Sequence, residues 1–514
     1  MAGIGKTTLA NKVYNDPEIV SYFHVRACCC VSQVYTKRDL LLEILGHIIE
    51  LTDNILVKPD EDLELLLSQK LRRNRYLVFM DDIWGIEAWS QLQNSFPDDK
   101  NGSRVLITSR LQDVVSKVTD ESHLLNLRPL SDDESWELLR RKTVFEEGCP
   151  EALLEIGKEI ARKCKGLPLS VVVAAGFLKA KNMTPKFWKE ISDSINSLKD
   201  NDPQKRCMDI LELSYNHLPD YLKSCFLYCG AFEGDKEIPV WKLLWPWMAE
   251  GFVQESDLKS LEDLADDYLK DLIGRSLLMV ARRRSNGRVK ACRIHDMVRT
   301  LCVLKAKKEN FFDFDDFDRS NSVTYEEYRL SFSVSRKLFL TSKPSGTNVR
   351  SLLFFATTDM DPRCLYDASF IFRNFKLLKV LDLVLHQIVS DSRIMLLLQL
   401  RFLSVAGYMG SIPSSLAKLQ HLETFIVKGW KGKVLLPITF WTMTRLRHVH
   451  VDDHAVFTMP NEKVGGSSEL INLVSLSTPS LSFGDTKEIV RRLPNLKKLS
   501  CIFPKLRNHS TKLL

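Results

Sequence analysis

No stretch of this 514-residue chain approaches the roughly 18 consecutive apolar residues that a bilayer-spanning helix requires, and its opening residues lack the charged-then-apolar layout of a secretory signal. An excess of one charge is also missing. The 72 basic residues against 65 acidic ones leave a formal +7, too little at this length to argue by itself for a polyanionic partner. Twelve cysteines are present, but scattered, without the spacing of a disulfide framework. Cys28, Cys29 and Cys30 are neighbours on a candidate strand, and Cys225 and Cys229 lack the second ligand pair of a zinc site, so reduced thiols and core packing are expected. Hydrophobic residues at 45% and charged residues at 27% exclude a mainly disordered chain. The length exceeds one core and calls for about three to five domains.

What is present begins at once. The first ten residues read MAGIGKTTLA, and Gly3, Ile4, Gly5, Lys6, Thr7 and Thr8 form most of a phosphate-binding loop that runs into a helix. Glycines let successive backbone N–H groups face phosphate oxygens, and the helix adds its positive dipole end. Lys6 would sit on the β- and γ-phosphates and the Thr7 hydroxyl on Mg²⁺. The full pattern GxxxxGK[ST] would place its first glycine before Met1, and no strand precedes the loop. The expectation is therefore a P-loop α/β domain lacking its first strand, in a chain cut short or with a damaged site.

Strands and helices then alternate. His24 to Ser32 reads as a strand, the stretch around Leu40 to Glu50 as a helix, and Tyr76 to Met80 (YLVFM) as a strand covered on both faces, as in a parallel sheet between helices. Asp81 and Asp82 follow at its carboxyl end, where open α/β sheets bind ligands. Asp81 would hold Mg²⁺, directly or through water, and Asp82 would be the catalytic carboxylate that orients or deprotonates a water. A turn carrying two solvated acids is the plainer alternative. A third strand, Ser103 to Ser109, ends at Arg110, a cation placed to sense a γ-phosphate or simply a solvated surface arginine.

From Ser131 to Leu218 the pattern is helical. SDDESWELL has a Ser N-cap with acids in its first turn, and EALLEIGKEIARKC carries apolar residues at helical spacing. In KGLPLS, Gly166 stops one helix and Pro168 starts the next. Helices beyond Phe226 give way to apolar-containing strands, Leu277 to Arg284 and Arg288 to Ile294, around Ser285-Asn286-Gly287, a hairpin signal. Helices plus a hairpin make a winged helix. Its wing is basic, with Arg282, Arg283, Arg284, Arg288, Lys290 and Arg293. Such charges could meet DNA phosphates, but no recognition-helix signature or aromatic interleaving accompanies them, so direct DNA binding is not expected.

The Asp- and Phe-rich stretch from Lys307 to Tyr328 breaks the composition and reads as a linker. Beyond it LKVLDL at 378, LRFLSV at 400, LETFIV at 422, LRHVHV at 446, LVSLS at 473 and LKKLS at 496 recur at intervals of 22, 22, 24, 27 and 23 residues. That is a leucine-rich repeat array, one short strand per repeat in a parallel sheet.

GIGKTTLA, FHVRACCCVSQ, YLVFMDDIW, NGSRVLITSR, KGLPLS, CFLYCGAF and RIHDMV follow one another in the order seen in plant NB-ARC leucine-rich-repeat resistance proteins, and the chain resembles that family. The Trp of DDIW and the CFLYCGAF form resemble its coiled-coil class, and the whole is similar to late-blight-type resistance proteins of nightshades. The resemblance implies a multidomain architecture: a P-loop domain over 1–130, a helical ARC1-like domain over 131–218, a winged helix (ARC2-like) over 219–306, a linker over 307–345 and repeats over 346–514.

The resemblance also implies an ADP-off, ATP-on switch, at most a slow ATPase, that detects a pathogen effector or a guarded host protein through the repeats. On activation such a switch self-associates and triggers the hypersensitive response. Gly3, Ile4, Gly5, Lys6, Thr7 and Thr8 would contact phosphate, Thr7 and Asp81 would hold Mg²⁺, and Asp81 with Asp82 would form the acid pair. Arg110 would be the sensor, Pro168 would lie near the adenine, and His295 would reach the β-phosphate of ADP. Ala2, Cys28 and Ile294 depart from the family pattern. The expected location is cytoplasmic or peripheral at the plasma membrane. The competing readings are a housekeeping P-loop ATPase and a truncated remnant with folded repeats and no signalling.

Overall fold

A computed structural model of the chain describes all residues except 32–34, 120, 144–149, 181–183, 197–201, 315–324, 326–327, 333–338, 340–341, 355–368, 384–391, 407–410, 429–432, 459–468, 481–485 and 503–514. Two compact units emerge. One comprises Met1–Val240 with Asp266–Cys302, the other Trp241–Ala265 with Val303–Leu514. Among the described residues no helix is long and apolar enough to cross a membrane, and every cysteine is free.

In the first unit, β1 (Val25–Cys30), β2 (Tyr76–Ile83) and β3 (Arg104–Ser109) form a parallel sheet in that order. Alternation along β2 explains why YLVFM is apolar throughout. Val78 and Met80 join the core built by Leu41, Ile44 and Leu45 of helix Lys37–Ile48, whereas Leu77 and Phe79 pack with Ala10 and Tyr14 of α1 (Lys6–Tyr14). Helix Lys37–Ile48 begins at a capping box between Thr36 and Asp39.

The helical stretch follows its own end signals. Helix Asp132–Thr143 opens on a second capping box, with the Glu134 N–H donating to Ser131 Oγ at 3.1 Å and the Ser131 N–H to Glu134 Oε2 at 2.7 Å. Gly166 has a φ of +69°, and a Cβ there would stand 2.3 Å from the Leu130 carbonyl oxygen. Only glycine fits this stop, and helix Pro168–Ala180 starts two residues later. The winged-helix sheet has the order β4 (Ile238–Pro239), β6 (Val289–Arg293), β5 (Met279–Arg283), and β5 turns into β6 through Gly287 at φ +80°.

The second unit is dominated by a parallel sheet whose registered positions step Val380, Phe402, Thr424, His448, Ser475, Lys498. Those steps are the 22, 22, 24, 27 and 23 residues of the repeat intervals. The inward residues Leu381, Leu403, Phe425, Val449 and Leu476 stack in one continuous core, which is how repeats stabilise one another. The sheet also starts earlier than the composition suggests. Strand Arg329–Phe332, inside the expected linker, pairs in parallel with Ser351–Phe354, because its own RLSF pattern buries all four residues. Much of the acidic part of that linker lies outside the described residues.

Candidate nucleotide site

The loop before α1 is held open by backbone conformation. Gly3 and Gly5 have φ of +70° and +93°, and no side chain caps the first turn of α1. Its leading N–H groups are thus presented without a side-chain acceptor, the arrangement that attracts phosphate. The GLPL segment lies against this loop. The Leu169 N–H donates to the Gly3 carbonyl at 3.2 Å, and a Cβ on Gly5 would lie 3.9 Å from Pro168 Cγ. Pro168 therefore packs on the phosphate loop itself. Ile4 is half-buried between the glycines, and Thr8 is exposed in the first turn.

Lys6 donates from Nζ to the Met1 carbonyl at 2.7 Å. Burial, and next the Arg110 cation, lower the pKa of its ammonium, with the charges of Asp82, Asp81 and Asp235 pulling the other way.

The acid pair sits at the end of β2 and its two members face different partners. Asp81 Oδ1 accepts from Thr7 Oγ1 at 2.9 Å and from Thr108 Oγ1 at 2.5 Å. Burial raises the Asp81 pKa, with the two hydroxyls pulling the other way. Asp82 has a left-handed φ of +55°, and both its oxygens are taken by Arg110, Nε to Oδ1 at 3.0 Å and Nη2 to Oδ2 at 2.8 Å. The catalytic role expected of Asp82 would be played from this gripped position, where each oxygen accepts one bond from Arg110 and keeps a further acceptor site. Arg110, the expected sensor, stands at this edge as a partner of carboxylates. Its guanidinium also pairs with Asp296 and lies 4.4 Å over the Trp84 ring.

Asp296 begins helix Asp296–Lys308, directly after His295 at the end of the hairpin, and the two side chains are in contact. The Met297 N–H donates to His295 Nδ1 at 3.2 Å. Burial first and the Arg110 cation second pull the imidazole down to about 4, so the ring is neutral near pH 7.

Three residues of the site were not singled out for chemistry by sequence. Trp84 served only as a family signature. Thr108 lies inside the third strand with no motif to mark it. Asp235 belongs to a turn whose neighbour Gly234 lets the chain approach Asp296, a Cβ there lying 3.1 Å from Asp296 Cα. Oxygens of Asp82, Asp235 and Asp296 lie within 4.8 Å of one another. Burial, then the charges of Asp81 and Asp82, raise Asp235 to about 7. A Gly-Asp turn is too common for sequence alone to have marked it.

Three family models match the chain: the NB-ARC domain over residues 1–148, the disease resistance protein winged helix domain over 231–302, and a leucine-rich repeat region over 348–514. A late blight resistance protein homolog of Solanum demissum, R1B-16, is 40% identical over 511 residues, 98% of this chain and 39% of that protein. Another from the same plant, R1B-14, is 39% identical over 518 residues, 98% of this chain and 38% of its own length. The chain thus spans about two fifths of the length of the relatives it matches. Among solved structures, the Aeropyrum pernix ORC1 protein in complex with DNA shares 15% identity at a TM-score of 0.27, covering 59% of this chain and 85% of that one, a likeness too slight to carry an argument. Nucleotide-binding domain, winged helix and repeats, in this order and with this sequence identity, make the chain a member of the plant NB-ARC leucine-rich-repeat disease resistance proteins.

Proposed function

We propose that the chain is the switch and sensor portion of a plant immune receptor, in which an adenine nucleotide with Mg²⁺ controls signalling. The observation that carries this reading is the double grip of Arg110, which ties Asp82 at the sheet edge to Asp296 of the winged-helix segment. A γ-phosphate would compete with Asp296 for that guanidinium, so ADP would favour the tied arrangement and ATP the released one. Such competition needs no rapid turnover. A slow switch ATPase, rather than a housekeeping one, suits such a competition.

The residues suit the ligand. Left-handed glycines, an uncapped helix start and a partly desolvated Lys6 cradle phosphates, while Thr7 and Asp81 offer hard oxygen donors side by side for Mg²⁺. Bound Mg²⁺ would neutralise phosphate charge. Neutral His295, next to Asp296, would donate from Nε2 toward a β-phosphate. The repeats would receive a pathogen effector or a guarded host protein, and the receptor would self-associate and evoke the hypersensitive response from the cytoplasm or the plasma-membrane surface.

The test is equilibrium binding of fluorescent ADP and ATP to the purified chain and to Lys6→Ala. Saturable Mg²⁺-dependent binding that Lys6→Ala abolishes is expected. Equal binding by the variant, or none by the parent chain, overturns the reading.

A further inference from the structure

The two acids at the end of β2 are neighbours in sequence yet point to different partners, and the reason lies in the strand ladder. Backbone pairing of β2 with β3 runs regularly from Leu77 opposite Arg104 to Met80 opposite Ile107, then resumes at Ile83 opposite Ser109. Three steps on β2 are matched by two on β3, so β2 carries one extra residue at Asp81–Asp82. This is a bulge, and bulges re-aim side chains next to functional sites. The irregularity falls at the Asp82 amide, whose hydrogen goes to a side chain.

That side chain is Thr108. Its Oγ1 accepts from the Asp82 N–H at 2.8 Å, and the hydrogen of the same hydroxyl goes to Asp81 Oδ1 at 2.5 Å. One atom thus accepts from one acid residue and donates to the other. Thr108 is only 8% exposed, which leaves little room for a water to replace it. Thr7 donates to the same Asp81 oxygen, and among the described residues none donates to Oδ2.

We propose that Thr108 is the positioning residue of the acid pair, its single hydroxyl holding Asp81 toward Thr7 and Mg²⁺ while fixing the turned backbone that gives Asp82 to Arg110. The inference rests on the nucleotide and Mg²⁺ reading above. A group that orients a metal-binding carboxylate typically matters by about 10- to 100-fold in metal-dependent affinity.

The experiment compares fluorescent ADP binding to the full 514-residue chain with Mg²⁺ and with EDTA, for the parent, Thr108→Val and Thr108→Ser, with a thermal melt of each. Val keeps the shape and removes the hydroxyl, and Ser keeps the hydroxyl. In Thr108→Val the Mg²⁺-dependent tightening should fall about tenfold or more, while affinity in EDTA stays within about twofold. Thr108→Ser should restore most of the tightening. The proposal is overturned if Thr108→Val retains the parent's Mg²⁺ dependence, if Ser behaves like Val, or if affinities with and without Mg²⁺ fall together with the melting temperature. A parent chain that binds no nucleotide overturns the proposed function and this inference with it, an outcome visible before any Thr108 variant is compared.

Discussion

Arg110 grips Asp82 through two parallel hydrogen bonds, Nε to Oδ1 at 3.0 Å and Nη2 to Oδ2 at 2.8 Å, while the same Nη2 pairs with Asp296. A planar fork serves both carboxylates at once, which a lysine ammonium could not do with the same geometry. The ring of Trp84 beneath it, 4.4 Å from the guanidinium carbon, restricts where the fork can swing. The tie joins the nucleotide domain to the winged-helix segment through charges that a phosphate would contest.

Asp296→Val should therefore weaken the resting arrangement. Loss of a contact made in one state shifts the balance by that contact's differential energy, about 1 to 3 kcal/mol or roughly 5- to 150-fold. ADP dissociation from the purified chain should quicken by a factor in that range, and His295→Ala should act in the same direction. In leaves, a receptor containing this segment with Asp296→Val should signal without a pathogen, and adding Lys6→Ala should silence it. A stably expressed Asp296→Val protein with the parent's ADP release rate would reduce both residues to parts of the wing.

Gly3→Ala tests the loop. A non-glycine residue in the left-handed region costs about 1 to 2 kcal/mol. The new Cβ would also stand 3.0 Å from Leu169 Cβ. The expected outcome is a lower melting temperature together with weaker nucleotide binding, read by thermal denaturation with and without ADP. Gly287→Ala, where a Cβ meets nothing within 4 Å, should leave nucleotide binding unchanged.

Two groups of the site give stability an opposed dependence on pH. Asp235, raised to about 7 in the fold, holds a proton that the unfolded chain has already lost above pH 4, so its contribution is present at low pH and is lost as pH rises toward 7. His295, lowered to about 4, behaves oppositely, its neutral form being disfavoured as pH falls from 6.5 toward 4. Asp235→Asn should accordingly raise the apparent melting temperature at pH 8 and change it little at pH 4. At roughly 2 to 4 °C per kcal/mol for a unit of this size, the effect is measurable by scanning fluorimetry. Equal shifts at both pH values would rule out a buried, protonated Asp235.

In the second unit, Glu250 is fully buried and held by Arg329 Nη2 at 2.9 Å and by the Ser351 hydroxyl. Arg329→Met would leave that carboxylate unpaired in a low-dielectric setting, a loss of about 3 to 5 kcal/mol. Limited proteolysis should then cut the repeats near strand Arg329–Phe332 far faster than in the parent. Replacing Glu250 and Arg329 together by Gln and Met should recover much of the loss, because no charge is then stranded.

The repeats were the most legible part of the chain. A strand that buries Leu381 and Leu383 or Leu403 and Val405 writes its period directly into sequence, and the registered pairs reproduce the intervals residue for residue. Strand Arg329–Phe332 escaped notice because it has no leucine-spaced companion motif and lies beside an acidic, Phe-rich stretch that masks its pattern. The hairpin and the Ser131 N-cap are legible for the same local reason, since a turn or cap is specified within a few residues.

Sequence alone determined which residue types the site contains and the order in which the chain delivers them, because glycine conformation, strand burial and repeat period are local or periodic properties. Tertiary structure alone decided what those residues do to one another. Nothing in DDIW says that Asp81 turns to Thr7 and Asp82 to Arg110; that divergence comes from one extra residue in the β2–β3 ladder and the hydroxyl of Thr108 that binds both residues. Nothing near Arg110 foretells Asp296, and nothing in the Gly-Asp turn marks Asp235. Their charges meet because the fold brings distant segments to one sheet edge, where burial and neighbouring charge, rather than residue identity, set the proton on Asp235 and keep it off His295.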